Sequence, residues 1–223
     1  MTQNLAAWGV IFDMDGVLVD SAPAHFESWQ RLAREEGVTI TRKQFEAGFG
    51  RQNGDIIPMF FGSVSRQRLA AIALRKEEIY RDLVRARVPV VDGAVELISA
   101  LAHQKIPLAI GSAGPRPNIN LVLEGMQVTG FFDVIISGED ATRGKPDPQV
   151  FQLACERLRL PPDRCVVIED ATAGVAAAKA AGTRIAAVMM HHPAETLMVA
   201  GADIVVERLK DLTVARLKDL VSQ

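Results

Sequence analysis

Asp13 and Asp15 stand two residues apart, directly after the apolar run Trp8-Gly9-Val10-Ile11-Phe12. Further along the chain, other apolar runs deliver Ser112, then Lys145 within Gly144-Lys145-Pro146, then the pair Glu169-Asp170. Each residue alone has a plainer use. An acid after a strand caps the next helix, a serine sits in a turn, and a lysine is solvated. Their joint placement after successive apolar runs is what those uses leave unexplained. Clustered carboxylates repel one another unless a cation lies among them, and hard oxygen ligands with room for water and phosphate suit Mg²⁺. With the charge neutralised, a carboxylate can attack phosphorus. A second carboxyl two residues on can protonate the leaving oxygen and later deprotonate water or a hydroxyl. Lysine and serine can hold the phosphoryl oxygens by charge and hydrogen bond. The set suffices for phosphoryl transfer through an aspartyl-phosphate.

These residues need a scaffold that brings strand ends to one rim. The pattern predicts a first strand over 8–12, then helices from Ser21 to Gly37 and over 42–47, 55–61 and 65–87. Ser21-Ala22-Pro23 offers an N-cap with proline in the first turn, and Phe26, Trp29, Leu32 and Ala33 recur at helical spacing. After Pro89, strands and helices alternate. Helices are expected over 92–104, 117–126, 148–158 and 172–181, and strands over 106–111, 133–137, 165–168 and 184–189. A weaker pair, a strand over 204–206 and a helix over 212–220, ends the pattern. Continuous apolar strands indicate a sheet covered on both faces, hence parallel and doubly wound. The expected fold is a Rossmann-like α/β core of residues 1–20 and 88–223, with an all-helical cap inserted over 21–87. In such a sheet, ligands bind beyond the carboxyl ends of the strands.

Composition excludes other classes. The chain has 223 residues, 48% hydrophobic and 23% charged, as expected of a soluble globular protein. With 25 Lys and Arg against 27 Asp and Glu, the net charge of −2 offers no field for a nucleic-acid backbone. Cys155 and Cys165 lie in apolar segments and read as buried thiols in a reducing compartment. No apolar run approaches the ~20 residues of a membrane span, and the opening segment lacks the basic start of a secretory leader. A cytoplasmic monomer acting on a small phosphorylated metabolite is expected.

The motifs resemble those of the haloacid dehalogenase superfamily. Asp13-Met14-Asp15-Gly16-Val17-Leu18-Val19-Asp20-Ser21 is similar to its first motif. Gly111-Ser112, Arg143-Gly144-Lys145-Pro146-Asp147-Pro148 and Val167-Ile168-Glu169-Asp170 with Ala173-Gly174 follow in the family's order. The likeness extends over nearly the whole chain and is greatest to the β-phosphoglucomutase-like phosphatases. It implies Asp13 as nucleophile and Mg²⁺ ligand, and Asp15 as general acid/base giving its backbone carbonyl to the metal. Ser112, with Ala113 beside it, and Lys145 bind the phosphoryl group. Asp170 completes the metal site, and Glu169 either ligates the ion or stands behind the ligands. Gly16 allows the backbone close to phosphate.

Gly48-Phe49-Gly50-Arg51-Gln52-Asn53-Gly54 is one residue too long for a dinucleotide fingerprint and follows a helix instead of a strand. The resemblance makes it a cap loop facing the rim, with Arg51 holding the distal part of a substrate. It likewise puts His25, one turn past Ser21, near the site. Lys76 is a weaker candidate, and Arg116 follows Ser112 closely enough to reach phosphate. His191 and His192 read as surface residues. Hydrolysis is preferred over sugar-phosphate mutation, because a mutase needs a firmer grip on a second phosphate than Ala47, Gly114 and Pro115 offer. A halide-removing hydrolase would need no acid at Asp15. A phospho-acceptor signalling domain would be much shorter and would have no helical insertion.

Overall fold

A computed structural model describes residues 8–222; the segment 1–7, read above for a leader, lies outside them. Strand β1 is Gly9–Phe12. Helices α1 (Ala22–Glu36), α2 (Arg42–Gly48), α3 (Asn53–Phe61) and α4 (Arg66–Arg85) follow it without an intervening strand. The alternating part then runs α5 (Ala94–His103), β2 (Leu108–Gly111), α6 (Arg116–Gly125), β3 (Val134–Ile136), α7 (Gln149–Leu158) and β4 (Cys165–Glu169). It ends with α8 (Thr172–Ala181), β5 (Arg184–Val188), α9 (Ala194–Ala200), β6 (Ile204–Val206) and α10 (Val214–Leu220). Of the α-helices and strands just named, α9 is the one the pattern above does not contain. Its cues are short but present, with Pro193 before it and Gly201 at φ 115° after it.

The six strands form one parallel sheet in the order β3-β2-β1-β4-β5-β6. Both faces are covered, which explains the unbroken apolar runs. Val10, Phe12, Leu108, Ile110, Val166 and Ile168 pack on the side of α5, α6 and α10. Ile11, Ala109, Val167 and Ile185 pack against α7, α8 and α9 on the other. Phe12 is fully buried and meets Phe132 edge-on at 6.0 Å; burial of such a ring stabilises the fold by about 2–3 kcal/mol. The chain winds outward from β1 to β3, then returns to β4 on the other side of β1. The order therefore switches between β1 and β4, where an open α/β sheet forms its crevice.

Helices α1–α4 are a cap with a core of their own, built on Trp29, Leu32, Phe45, Ile57, Ile72 and Ile79. Pro23 sits in the first turn of α1, and Gly37 closes it at φ 67°. Ser21 does not cap α1 with its side chain. The two connections to the sheet lie side by side. Val19 bridges Val90 in antiparallel sense, Asp20 N–H donates to Pro89 O at 2.9 Å, and Val91 N–H donates to Leu18 O at 2.9 Å. Among the described residues, no helix is long and apolar enough to cross a membrane.

Candidate active site

Parallel register brings the strand ends level. Phe12 is paired with Ile168 on one side and Ile110 on the other. Asp13 therefore emerges beside Glu169, its N–H donating to Ile168 O at 3.0 Å. A cavity of about 240 Å³ opens between this rim and the cap. Lys145, from the loop between β3 and α7, donates to Asp13 Oδ1 at 2.7 Å and to Glu169 Oε1 at 2.6 Å. Its ammonium also lies 4.8 Å from the centre of the Phe151 ring, so its side chain is almost wholly buried.

The acids crowd one another. Asp13, Glu169 and Asp170 each bring a carboxylate oxygen to a common point, all within 4.8 Å. Burial pushes Asp13 up to about 7; Lys145 pulls it down, while Glu169 and Asp15 add to the rise. Asp170 is raised for the same reasons, burial first and then Glu169 and Asp13. Lys145 is pushed upward despite its burial, because two carboxylates face it. The Lys145 ammonium thus gains from two anions, whereas the acids are raised first by burial and only then by their like-charged neighbours.

This donor set fits a hard divalent cation. Both oxygens of Glu169 are occupied, Oε1 by Lys145 and Oε2 by the N–H groups of Asp170 and Ala171 at 2.9 and 3.0 Å. The Asp170 carboxylate and Asp13 Oδ2 make no hydrogen bond among the described residues. The open oxygens therefore belong to Asp13 and Asp170, with Glu169 behind them.

Two glycines are demanded by this packing. Gly16 has φ 85°, and a Cβ there would stand 2.1 Å from Asp170 Oδ2. A Cβ at Gly174 would stand 1.7 Å from Glu169 Oε1. Gly16 thus makes room for an acid of the rim, a steric reason that the expectation of phosphate approach lacks.

Asp15 faces the cap. The Ser21 hydroxyl donates to Asp15 Oδ1 at 2.5 Å, which is why it is not capping α1. His25 Nε2 lies 3.4 Å from the same oxygen, and His25 Nδ1 lies 2.7 Å from Lys76 Nζ. An ammonium only donates, so Nδ1 accepts and the ring hydrogen on Nε2 points at Asp15. The ring is fixed by stacking on Tyr80, centroids 4.0 Å apart and planes at 8°. Burial alone would raise Asp15, but His25, Ser21 and Lys76 outweigh it and hold the carboxyl below its ordinary value.

Ser112 is buried; its Oγ accepts from Gly114 N–H at 3.0 Å, which leaves its own hydrogen to donate. Ala113 lines the cavity, as do His25, Lys76 and Arg51. Arg51 is exposed at the cap side and makes no ion pair among the described residues. Arg116 is not brought to the cavity. Its guanidinium donates to Ile135 O at 2.8 Å and to Asp140 Oδ2 at 2.6 Å, a carboxylate that also accepts from Ser137. His191 is exposed, as a surface residue should be, and meets the edge of Phe49 at 5.8 Å, while the half-buried His192 lines the cavity, so this surface loop also touches the cap.

The sequence reading misses Glu77, Asn53 and Asn118, all lining the cavity. Glu77 sits in Arg75-Lys76-Glu77-Glu78, which looks like a solvated charge run. A signal existed one residue away: Lys76 falls on the stripe Ile72, Ile79, Tyr80 at helical spacing.

The arrangement matches known proteins. Residues 9–182 match the model of the haloacid dehalogenase-like hydrolases. The chain is 35% identical over 204 residues to the validoxylamine A 7'-phosphate phosphatase of Streptomyces hygroscopicus subsp. limoneus, spanning 89% of this chain and 92% of that one. It is 31% identical over 207 residues to the β-phosphoglucomutase of Bacillus subtilis (strain 168), covering 89% and 88% of the two chains. The crystal structure of β-phosphoglucomutase from Clostridium difficile superimposes with a TM-score of 0.85 over 96% of each chain, at 26% identity. The chain therefore belongs to the haloacid dehalogenase-like hydrolases, within their β-phosphoglucomutase-like branch.

Proposed function

We propose that this protein is a Mg²⁺-dependent phosphatase of a small phosphorylated metabolite, working through a phosphoaspartate on Asp13. The observation that carries the reading is the group of Asp13, Glu169 and Asp170 around Lys145 at the switch in strand order. Asp13 and Asp170, with the Asp15 carbonyl, would hold Mg²⁺, whose charge offsets that of carboxylates and phosphate together. Lys145 and the Ser112 hydroxyl hold phosphoryl oxygens. The Asp13 carboxylate attacks phosphorus, the bond from phosphorus to the metabolite oxygen breaks, and that oxygen takes the proton of the Asp15 carboxyl. A phosphate dianion entering beside Asp15 adds like charge, which favours that protonated form. Asp15, now a carboxylate, takes a proton from water as the water attacks the acyl phosphate. The bond between phosphorus and Asp13 breaks, and inorganic phosphate leaves.

In this reading residues 21–87 are a cap that opens for substrate and closes against water, with hinges over 19–21 and 87–89. All the groups named come from one chain, so a monomer suffices. Water is the acceptor because cap and rim together hold little to grip a second phosphate. Ala47 has no charge, Arg116 is engaged with Asp140, and Lys76 is engaged with Glu77 at 2.9 Å and with His25. Of the lysines and arginines of the cap that line the cavity, this leaves Arg51. The test is a screen of phosphorylated sugars, hexitols and related metabolites for continuous release of inorganic phosphate. Sustained turnover of at least one is expected; a single stoichiometric labelling without turnover would contradict the reading.

A further inference from the structure

Cap helix α4 touches core helix α6 through a buried polar contact. Asn118 of α6 donates from Nδ2 to Glu77 Oε2 at 2.6 Å. Asn53 Nδ2 and Lys76 Nζ donate to Glu77 Oε1 at 2.8 and 2.9 Å. One turn along α4, Arg81 Nη1 donates to Asn118 Oδ1 at 3.0 Å. Arginine only donates, so this bond fixes which end of the Asn118 amide faces Glu77. Glu77 is 5% exposed, Asn118 1% and Lys76 3%. Burial would raise Glu77, but Lys76, His25 and Asn53 hold its carboxyl below the ordinary value.

A buried carboxylate is costly unless fully partnered, and removing one partner is more damaging than never having the group. Apolar residues would join α4 to α6 with less demand on geometry. The polar contact offers two things an apolar one does not. It is directional, so it sets the register of cap on core, and it parts readily because water can solvate both groups once the cap lifts. Its outcome reaches the rim, since Glu77 holds Lys76, Lys76 meets His25 and His25 meets Asp15 Oδ1.

We propose that Glu77 and Asn118 are positioning residues. Their hydrogen bond latches the cap onto the core and, through Lys76 and His25, sets the place of the Asp15 carboxylate. The catalytic consequence rests on the phosphatase reading above; the latch itself does not.

The test exchanges the partners. Asn118→Asp faces Glu77 with a second carboxylate, Glu77→Gln faces Asn118 with a second amide, and the double variant restores one acid and one amide. Spin labels on Leu74→Cys in the cap and Val199→Cys in the core, both exposed, report the cap–core distance by pulsed electron resonance. Each single variant is expected to broaden the distribution to longer distances and lower kcat/KM at least ~10-fold, mostly in kcat. The double variant should recover the native distribution and come within about threefold of the parent. Should Asn118→Asp fail to fold, Glu77→Gln, which keeps every heavy atom in place, stands alone as the open form. Native distances in the single variants, or no recovery in the double variant, would overturn the latch. If the parent turns over no phosphorylated metabolite, the phosphatase reading fails while the distances still decide the latch.

Discussion

Gly174 leaves no room for any other residue, because a Cβ there would lie 1.7 Å from Glu169 Oε1. Gly174→Ala must push Glu169 off Lys145 and off the two N–H groups that it accepts from. We expect a loss of about 3 kcal/mol in urea unfolding, the upper range for overpacking a tight core. Asp13→Asn tests chemistry instead of packing. The amide keeps the shape but cannot attack phosphorus, so turnover should fall at least about a thousandfold, a barrier rise of ~4 kcal/mol, with the melting curve still cooperative. Activity within about tenfold of the parent would remove Asp13 from the nucleophile role. Asp13 and Glu169 were legible because each ends an apolar run, and parallel register carries such positions to one rim, while Lys145 is brought there by the loop after β3. Asn118 was not, since an amide two residues past Arg116 gives no hint that its partner is Glu77, 41 positions away along the chain.

The helices show where sequence pattern ends and contact begins. In α4 the charged run divides by face: Arg75 pairs with Glu35 outside at 2.7 Å, while Lys76 and Glu77 turn inward. The apolar stripe of α4 was readable, but which helix would cover it was not, because α4 meets both its own cap and α6. The two connections between cap and core, proposed above as hinges, are tied to each other by the antiparallel bridge of Val19 with Val90. The short helix α9 escaped because seven residues hold too few turns for periodicity to register. Glu77 also makes a prediction at this scale. Its carboxyl is held below the ordinary value in the fold, so its contribution to stability is present above about pH 4.5 and fades as pH falls through the lowered folded value. The gap in melting temperature between parent and Glu77→Gln should therefore be widest near neutral pH and shrink as pH falls through that lowered value. A gap that stays constant across that range would show that the charge of Glu77 does not contribute.

At the scale of the molecule, the parallel sheet supplies a rim of acids and the cap a roof that closes it. In the proposed reading, the rim's like charges call for a cation. Removing divalent metal with a chelator should stop turnover reversibly, Mg²⁺ should restore it, and Ca²⁺ should do so poorly because it prefers more ligands at longer distances. Full activity after thorough demetallation would rule out the open oxygens of Asp13 and Asp170 as a metal site. The central claim, hydrolysis at this site in preference to isomerisation, is tested most directly by one incubation. The protein is given β-glucose 1-phosphate, Mg²⁺ and a trace of the 1,6-bisphosphate, and inorganic phosphate and glucose 6-phosphate are followed together. With Lys76 bound to Glu77 and Arg116 bound to Asp140, inorganic phosphate should form faster than glucose 6-phosphate. Glucose 6-phosphate accumulating much faster than inorganic phosphate would contradict the account.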